Sequence, residues 1–207
     1  MSTNEKTELI IVRHGETEWT LSHRHTGRED IALTAHGRRQ SSSLGPYLKS
    51  VLHNRAATFH SSPMRRALET MELALPGIEY RVEPLLMEYD YGIYEGQTFE
   101  QIRAVRPDWD IWRDGCPEGE RTGDVASRAD KFLAEYVDNA TQPVVVFTHG
   151  HFSRILAARA LGLEAKSGSI FSSSPASVSI VQEHHDIRCI ELWNASVDTI
   201  AAERGDL

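Results

Sequence analysis

Apolar positions along this chain come in two alternating patterns: short β-branched runs, and longer stretches with an apolar residue every third or fourth position. Leu9, Ile10, Ile11 and Val12 open the series and predict a strand over residues 9 to 13. Thr34 then stands as a helix cap, followed by Leu44, Leu48, Val51 and Leu52 at helical spacing, with Pro46 expected to kink or shorten that helix. The stretch "AATFHSSPMRRALETMELALPG" predicts a short strand, a Ser61-Ser62 cap, Pro63 at the first helical position and a helix closing at Pro76-Gly77. A third unit, "PVVVFTHGHFSRILAARALGL", gives a β-branched run, a sharp exit at Thr148-His149-Gly150 and an amphipathic helix ending near Gly162. Residues 177 to 182 and 187 to 193 read as two last strands, paired as a hairpin at the sheet edge. Residues 90 to 122, rich in aromatic, glycine and charged residues, fit no simple period, and they are expected to form a helix-containing, lid-like insertion over one edge.

Strands alternating with helices predict an α/β fold in which helices cover a largely parallel sheet. The 207 residues hold no repeat and no low-complexity linker, so one domain over 1–207 is expected. No apolar run approaches the ~18 residues needed to span a membrane. The opening "MSTNEKTE" is too polar for a signal peptide, so the expected location is cytoplasmic.

Charge changes the picture more than composition does. A formal net charge of -8 argues against broad nucleic-acid binding, which needs a cationic face, but leaves room for a small anion held by a local cluster of cations. Cys116 and Cys189 stand far apart without metal-ligand spacing, so neither a disulfide framework nor a zinc site is expected. The pairs His23/His25, His149/His151 and His184/His185 are not joined to carboxylates in a ligand pattern, and no required metal or other cofactor is expected.

Three strand-to-helix units share one feature. Each carries, where its strand ends, a group able to bind or attack phosphate: Arg13-His14, then Ser61-Ser62 leading to Arg65-Arg66, then His149-Gly150. Ligands of open α/β sheets lie at the carboxyl ends of the strands, so these groups converge if the strands are neighbours. Helices starting at the same place would add free backbone N–H groups. Taken singly, a histidine after a strand is usually structural and a pair of arginines on a helix is usually a solvated face. Other phosphate machinery is missing: no G-x-x-x-x-G-K-[ST] loop, no G-x-G-x-x-G fingerprint. The four residues between Cys116 and Arg121 also fall one short of a cysteine-phosphatase loop.

On these residues the chain resembles the histidine phosphatase superfamily, also called the phosphoglycerate mutase-like family. The resemblance is carried by "RHGETEW" through "HTGREDIALTAHGRRQ", "SSPMRRALET", "LLMEYDYGIYEG" and "VFTHGH", in that order over residues 8 to about 182. It implies a three-layer α/β/α sandwich with a mostly parallel central sheet. It implies that His14 accepts phosphate, that Arg13 and Arg66 rather than Arg65 bind it, that Glu88 is the acid/base group and that His149 is the second histidine beside the phosphate. Thr26, Gly27 and Gly150 match further phosphate-loop positions, with Thr26 and Gly27 offering hydroxyl and backbone donors. The family often has asparagine six residues after the nucleophile, and Thr20 stands there instead.

Phosphatase and mutase share those groups. Mutases of the family typically read E-R-x-Y-G-x-L-Q-G-L-N-K in the third motif, whereas this chain has "EYDYGIYEGQT" and lacks the long mutase insertion and basic tail. Hydrolysis of a small phosphorylated metabolite, such as a sugar phosphate, is therefore expected, without a bisphosphoglycerate cofactor. The segments "EYDYGIYEG", "WDIWRDGCPEGE" and "THGHFSRIL" are similar to the branch holding sedoheptulose-1,7-bisphosphatase and some acid phosphatases. From "WDIWRDGCPEGE", Trp112, Arg113 and Asp114 are expected at the mouth of the pocket with Tyr91 and His25, unless the tryptophans simply pack the insertion down. A homodimer is the common assembly of such enzymes. The remaining readings are a phosphoglycerate mutase and a non-catalytic phospho-ligand binder on the same fold.

Overall fold

The computed structural model describes residues 8–185 and 187–196. Six strands, β1 (Glu8–Arg13), β2 (Thr58–Ser61), β3 (Arg81–Val82), β4 (Val144–Thr148), β5 (Ser177–His184) and β6 (Ile187–Ser196), form one sheet in the order β3-β2-β4-β1-β5-β6. The first four are mutually parallel, and β5 and β6 add an antiparallel hairpin beside β1. The helices are α1 (Glu18–Leu21), α2 (Ala35–Leu52), α3 (Arg65–Ala74), α4 (Phe99–Val105), α5 (Ile111–Asp114), α6 (Thr122–Phe132) and α7 (Gly150–Ala160).

Two-residue alternation along β1 explains why the sheet has helices on both faces. Leu9 and Ile11, with Val144, Val146 and Val181, point to one side and pack with Phe132 of α6 and Ile155 and Leu156 of α7. Ile10 and Val12, with Val145 and Phe147, point to the other and meet Leu44 and Leu48 of α2 and Met71 of α3. The α/β/α sandwich with a mostly parallel sheet is therefore what the chain adopts. On the second side α2 and α3 approach closely: a β-carbon on Gly45 would sit 2.3 Å from the Ala74 carbonyl oxygen.

Two local expectations are corrected. Helix α2 is not shortened at Pro46 but continues for six more residues to Leu52. Proline removes one hydrogen bond at about 3 kcal/mol. Full burial of Leu44 and Leu48 on either side of it, at roughly 1.5–3 kcal/mol each, outweighs that loss. Helix α3 begins two residues later than expected: its cap is Met64, with no side-chain cap bond, and Pro63 lies outside the helix. The Ser62 hydroxyl lies 2.7 Å from the buried His149 ring and also accepts from the Met64 N–H at 3.4 Å.

Residues 90–122 contain α4, α5 and a 3₁₀ turn at Gly92–Tyr94. Tyr91, Tyr94, Trp109 and Ile111 are buried in the α6/α7 core, so the tryptophan at 109 does pack the segment down. Its remaining rings face the cavity at the carboxyl ends of the strands. No helix among the described residues is long and apolar enough to cross a membrane.

Candidate active site

A cleft of about 530 Å³ opens where β1 and β4 end. Arg13, His14, Glu88, Gly150 and His151 line it, with Thr20, His25, Tyr91, Trp109, Trp112 and Arg154 higher up its walls. Parallel pairing of Arg13 with Thr148, and of Ser61 with Phe147, brings the three strand exits together.

His14 is buried, and its Nδ1 lies 2.7 Å from the Gly15 carbonyl oxygen. A carbonyl can only accept, so Nδ1 carries the hydrogen and Nε2 is left with its lone pair. The His149 ring stands edge-on at 5.3 Å between centroids. Arg66 Nε donates to His149 Nδ1 at 3.2 Å, so in the neutral ring Nε2 carries the hydrogen, which it gives to Ser62 Oγ at 2.7 Å. Arg66, fully buried, gives three of its four other N–H groups to the carbonyls of Thr26, Gly27 and Glu29. Arg13 donates to the Ser173 carbonyl, while its buried Nε has no partner among the described residues. An unpartnered guanidinium N–H in a dry site is costly unless an anion joins it.

Glu88 accepts three backbone N–H groups: those of Tyr89 (2.9 Å) and Phe152 (2.8 Å) on Oε1, and that of His151 (3.0 Å) on Oε2. Its segment is held by Arg128 of α6, which donates to the carbonyls of Leu85, Met87 and Glu88, and by Thr148 Oγ1, which donates to that of Leu86.

Burial, then the nearby guanidinium groups, push His14 and His149 well below their ordinary 6.5, and burial with Arg154 does the same to His151. Burial also lowers His25 and His60. These imidazoles are neutral at pH 7. In the unfolded chain they take up protons near 6.5, in the folded chain only at lower pH, so between those limits the unfolded state binds more protons. Stability is thus fully present above 6.5 and lost as pH falls, at up to about 1.4 kcal/mol per pH unit for each group. The urea midpoint of the phosphate-free protein is expected to drop steadily from pH 7 to pH 5; an unchanged midpoint would contradict neutral burial.

Several expected contacts are redirected. The Gly27 N–H goes to Glu95 Oε1 at 2.8 Å, not into the cleft. The Thr20 hydroxyl donates to the Thr17 carbonyl and accepts from the Thr17 N–H, a local capping box, although Thr20 does line the cleft. Thr26 Oγ1 donates to the Arg24 carbonyl. The α7 amides of His151 and Phe152 are taken by Glu88, and that of Arg65 on α3 by Asp30, so the helix starts do not offer these N–H groups freely. Arg113 is largely exposed, pairs with Asp114 at 2.8 Å, and does not line the cleft, nor does Asp114; one turn of α5 turns both away while Trp112 faces in.

The upper wall holds His25, Tyr91 and Trp112, as expected, together with His151 and Arg154, which the sequence did not single out as wall residues. His25 donates Nδ1–H to the Gln97 carbonyl and packs edge-on against Tyr91 (4.7 Å) and Trp109 (5.6 Å). His151 Nδ1 meets the Tyr91 hydroxyl at 2.8 Å, and Arg154 lies 4.5 Å over the Trp112 ring. Arg154 follows His151 by three residues on α7, a helical spacing that signals one shared face. Among the described residues no group of three or more His, Cys, Asp or Glu side chains is arranged to hold a metal ion.

A neutral imidazole set beside guanidinium groups, at the carboxyl ends of parallel strands, belongs to an enzyme that works on phosphate monoesters. Residues 9–196 match the histidine phosphatase superfamily (branch 1), and the chain belongs to that family. It is 40% identical to an acid phosphatase of Mycobacterium tuberculosis, over 87% of this chain and 88% of that one. It is 34% identical to a sedoheptulose 1,7-bisphosphatase of Saccharomyces cerevisiae, over 74% and 67%. The solved structure of the open reading frame Rv3214 of M. tuberculosis superposes with a TM-score of 0.85 at 36% identity, covering 92% of this chain and 98% of that one.

Proposed function

We propose that this protein hydrolyses phosphomonoesters of small metabolites, sugar phosphates in particular, through a phosphohistidine formed on His14. The observation that carries the reading is the His14 ring itself, whose Nδ1–H is tied to the Gly15 carbonyl so that a bare Nε2 remains at the cleft. Attack by that nitrogen on phosphorus breaks the ester bond and splits one hard displacement into two easier ones. Arg13, with an unspent N–H, and the buried pair Arg66 and His149 neutralise charge on the equatorial oxygens. Glu88 protonates the leaving alkoxide and then takes a proton from the water that frees His14. The matches to an acid phosphatase and a sedoheptulose bisphosphatase favour hydrolysis of a sugar ester over other outcomes. The 90–122 segment, walling the cleft with Tyr91, Trp109 and Trp112, covers the bound ester.

A panel of sugar mono- and bisphosphates, read by released inorganic phosphate, tests the reading. Turnover of at least one sugar ester is expected. Exchange between 3- and 2-phosphoglycerate that needs 2,3-bisphosphoglycerate and releases no phosphate would replace it with a mutase, and phosphate binding without any turnover would leave a binder.

A further inference from the structure

Residues 26–29 make a loop whose backbone is gripped from both sides. Its carbonyls at Thr26, Gly27 and Glu29 receive the Arg66 guanidinium, at 3.0, 3.0 and 2.9 Å. Its three successive amides, of Gly27, Arg28 and Glu29, converge on the Glu95 carboxylate at 2.8, 3.3 and 3.2 Å. Consecutive N–H groups closing on one point form an anion nest; here a side chain of the 90–122 segment fills it. The fit is tight, since a β-carbon on Gly27 would lie 2.5 Å from the Tyr89 carbonyl oxygen and 2.8 Å from Glu95 Oε2. Backbone pairing adds a second tie: the Gly96 N–H reaches the His25 carbonyl, and the His25 N–H reaches that of Gln97, each at 2.9 Å.

We propose that Glu95 is a positioning residue for phosphoryl transfer: by holding loop 26–29 in shape, it fixes Arg66, and through Arg66 Nε the His149 ring, behind His14. This rests on the roles just proposed for Arg66 and His149. An apolar side chain at 95 would leave three amides without their acceptor, and charge-assisted bonds are the strong ones. The Glu95 charge also faces the buried guanidinium, whose pKa is lowered first by burial and supported in the opposite direction by Glu88, Tyr91, Asp30 and Glu95. The 90–122 segment is then part of the scaffold of the phosphate site as well as its cover.

The test compares Glu95→Ala and Glu95→Gln with the unaltered chain, each corrected for the fraction of sites that form phosphoenzyme. Glu95→Ala is expected to lower kcat/KM by about a hundredfold, the usual scale for a small misplacement of catalytic groups, and to weaken inhibition by inorganic phosphate in parallel. Glu95→Gln keeps one oxygen for Gly27 and Glu29 and is expected to recover about tenfold of that loss. A role in folding alone would lower the count of active sites and leave kcat/KM and the phosphate inhibition constant per site unchanged. A per-site loss below tenfold in Glu95→Ala overturns the proposal; if that variant does not fold, a loss below threefold in Glu95→Gln overturns it. Should the unaltered chain turn over no ester, the phosphatase reading fails, and calorimetric titration with inorganic phosphate still decides whether Glu95 supports the anion site.

Discussion

Replacing His14 by alanine is expected to abolish phosphate release from every ester the protein hydrolyses, with a loss on the order of 10⁴-fold or more in kcat, as when other covalent enzymes lose their nucleophile. The expectation follows from the geometry of one ring. The Gly15 carbonyl fixes the His14 tautomer, and burial first, then the Arg66 and Arg13 guanidinium groups, keep the ring unprotonated, so a lone pair stands at the cleft across the neutral range. Once phosphorylated, the ring carries positive charge that the same carbonyl stabilises through the Nδ1–H. Under the proposed mechanism alanine removes the nitrogen that takes the phosphoryl group, yet leaves Arg13, Arg66 and His149, the groups proposed to hold the anion. Inorganic phosphate should therefore still inhibit or bind the variant. Acid-quench mass measurement should show an adduct on the unaltered chain and none on His14→Ala. An adduct on another residue, or residual activity within a hundredfold of normal, would end the phosphohistidine reading.

The second large effect is expected at Glu88. Glu88→Gln keeps the size of the side chain and an oxygen for the Tyr89 and Phe152 amides, but cannot supply a proton to the leaving group. On a sugar phosphate, whose alkoxide is a poor leaving group, kcat/KM should fall by roughly 10²–10⁴-fold, the range for general acid catalysis. On 4-nitrophenyl phosphate, whose phenolate departs without help, kcat/KM should fall by about tenfold or less. The comparison is made in kcat/KM because, in the proposed mechanism, that ratio stops at transfer to His14, whereas kcat also contains hydrolysis of the phosphoenzyme, where Glu88 is proposed to act as base on water. Equal losses of kcat/KM on the two esters would remove Glu88 from the role of acid and leave it as a group that shapes the start of α7.

The two effects differ in how legible their residues were. His14 and His149 follow short continuous apolar runs, so strand exits placed both at strand ends before any contact was known. Arg66 was separated from Arg65 only by family resemblance. The reason is now visible: Arg66 is fully buried against the 26–29 carbonyls, while Arg65 has its amide capped by Asp30 at an exposed position. Periodicity could not assign residues 90–122, because their order comes from rings packed against α6 and α7 and from turns at Gly92, Gly96 and Gly115, all with positive φ, and not from a repeating face. For the same reason Arg113 was mistaken for a wall residue: on a single helical turn, neighbours point in different directions and only packing tells which faces in.

By itself the amino-acid sequence determined the strand and helix alternation, a largely parallel sheet, the placing of Arg13, His14 and His149 at strand ends, and the family resemblance they carry. These depend on local period and on chemistry carried by residues at strand ends. That those strands are neighbours, so that the groups meet, was decided by the tertiary structure. Only the tertiary structure decided which donors remain free for an anion. Hydrogen-bond capacity is shared out among groups far apart in the chain: Gly27 spends its N–H on Glu95, Ser62 accepts from His149, and Glu88 takes the first amides of α7. A short-range pattern holds no record of such partners, because each is chosen by distance in space.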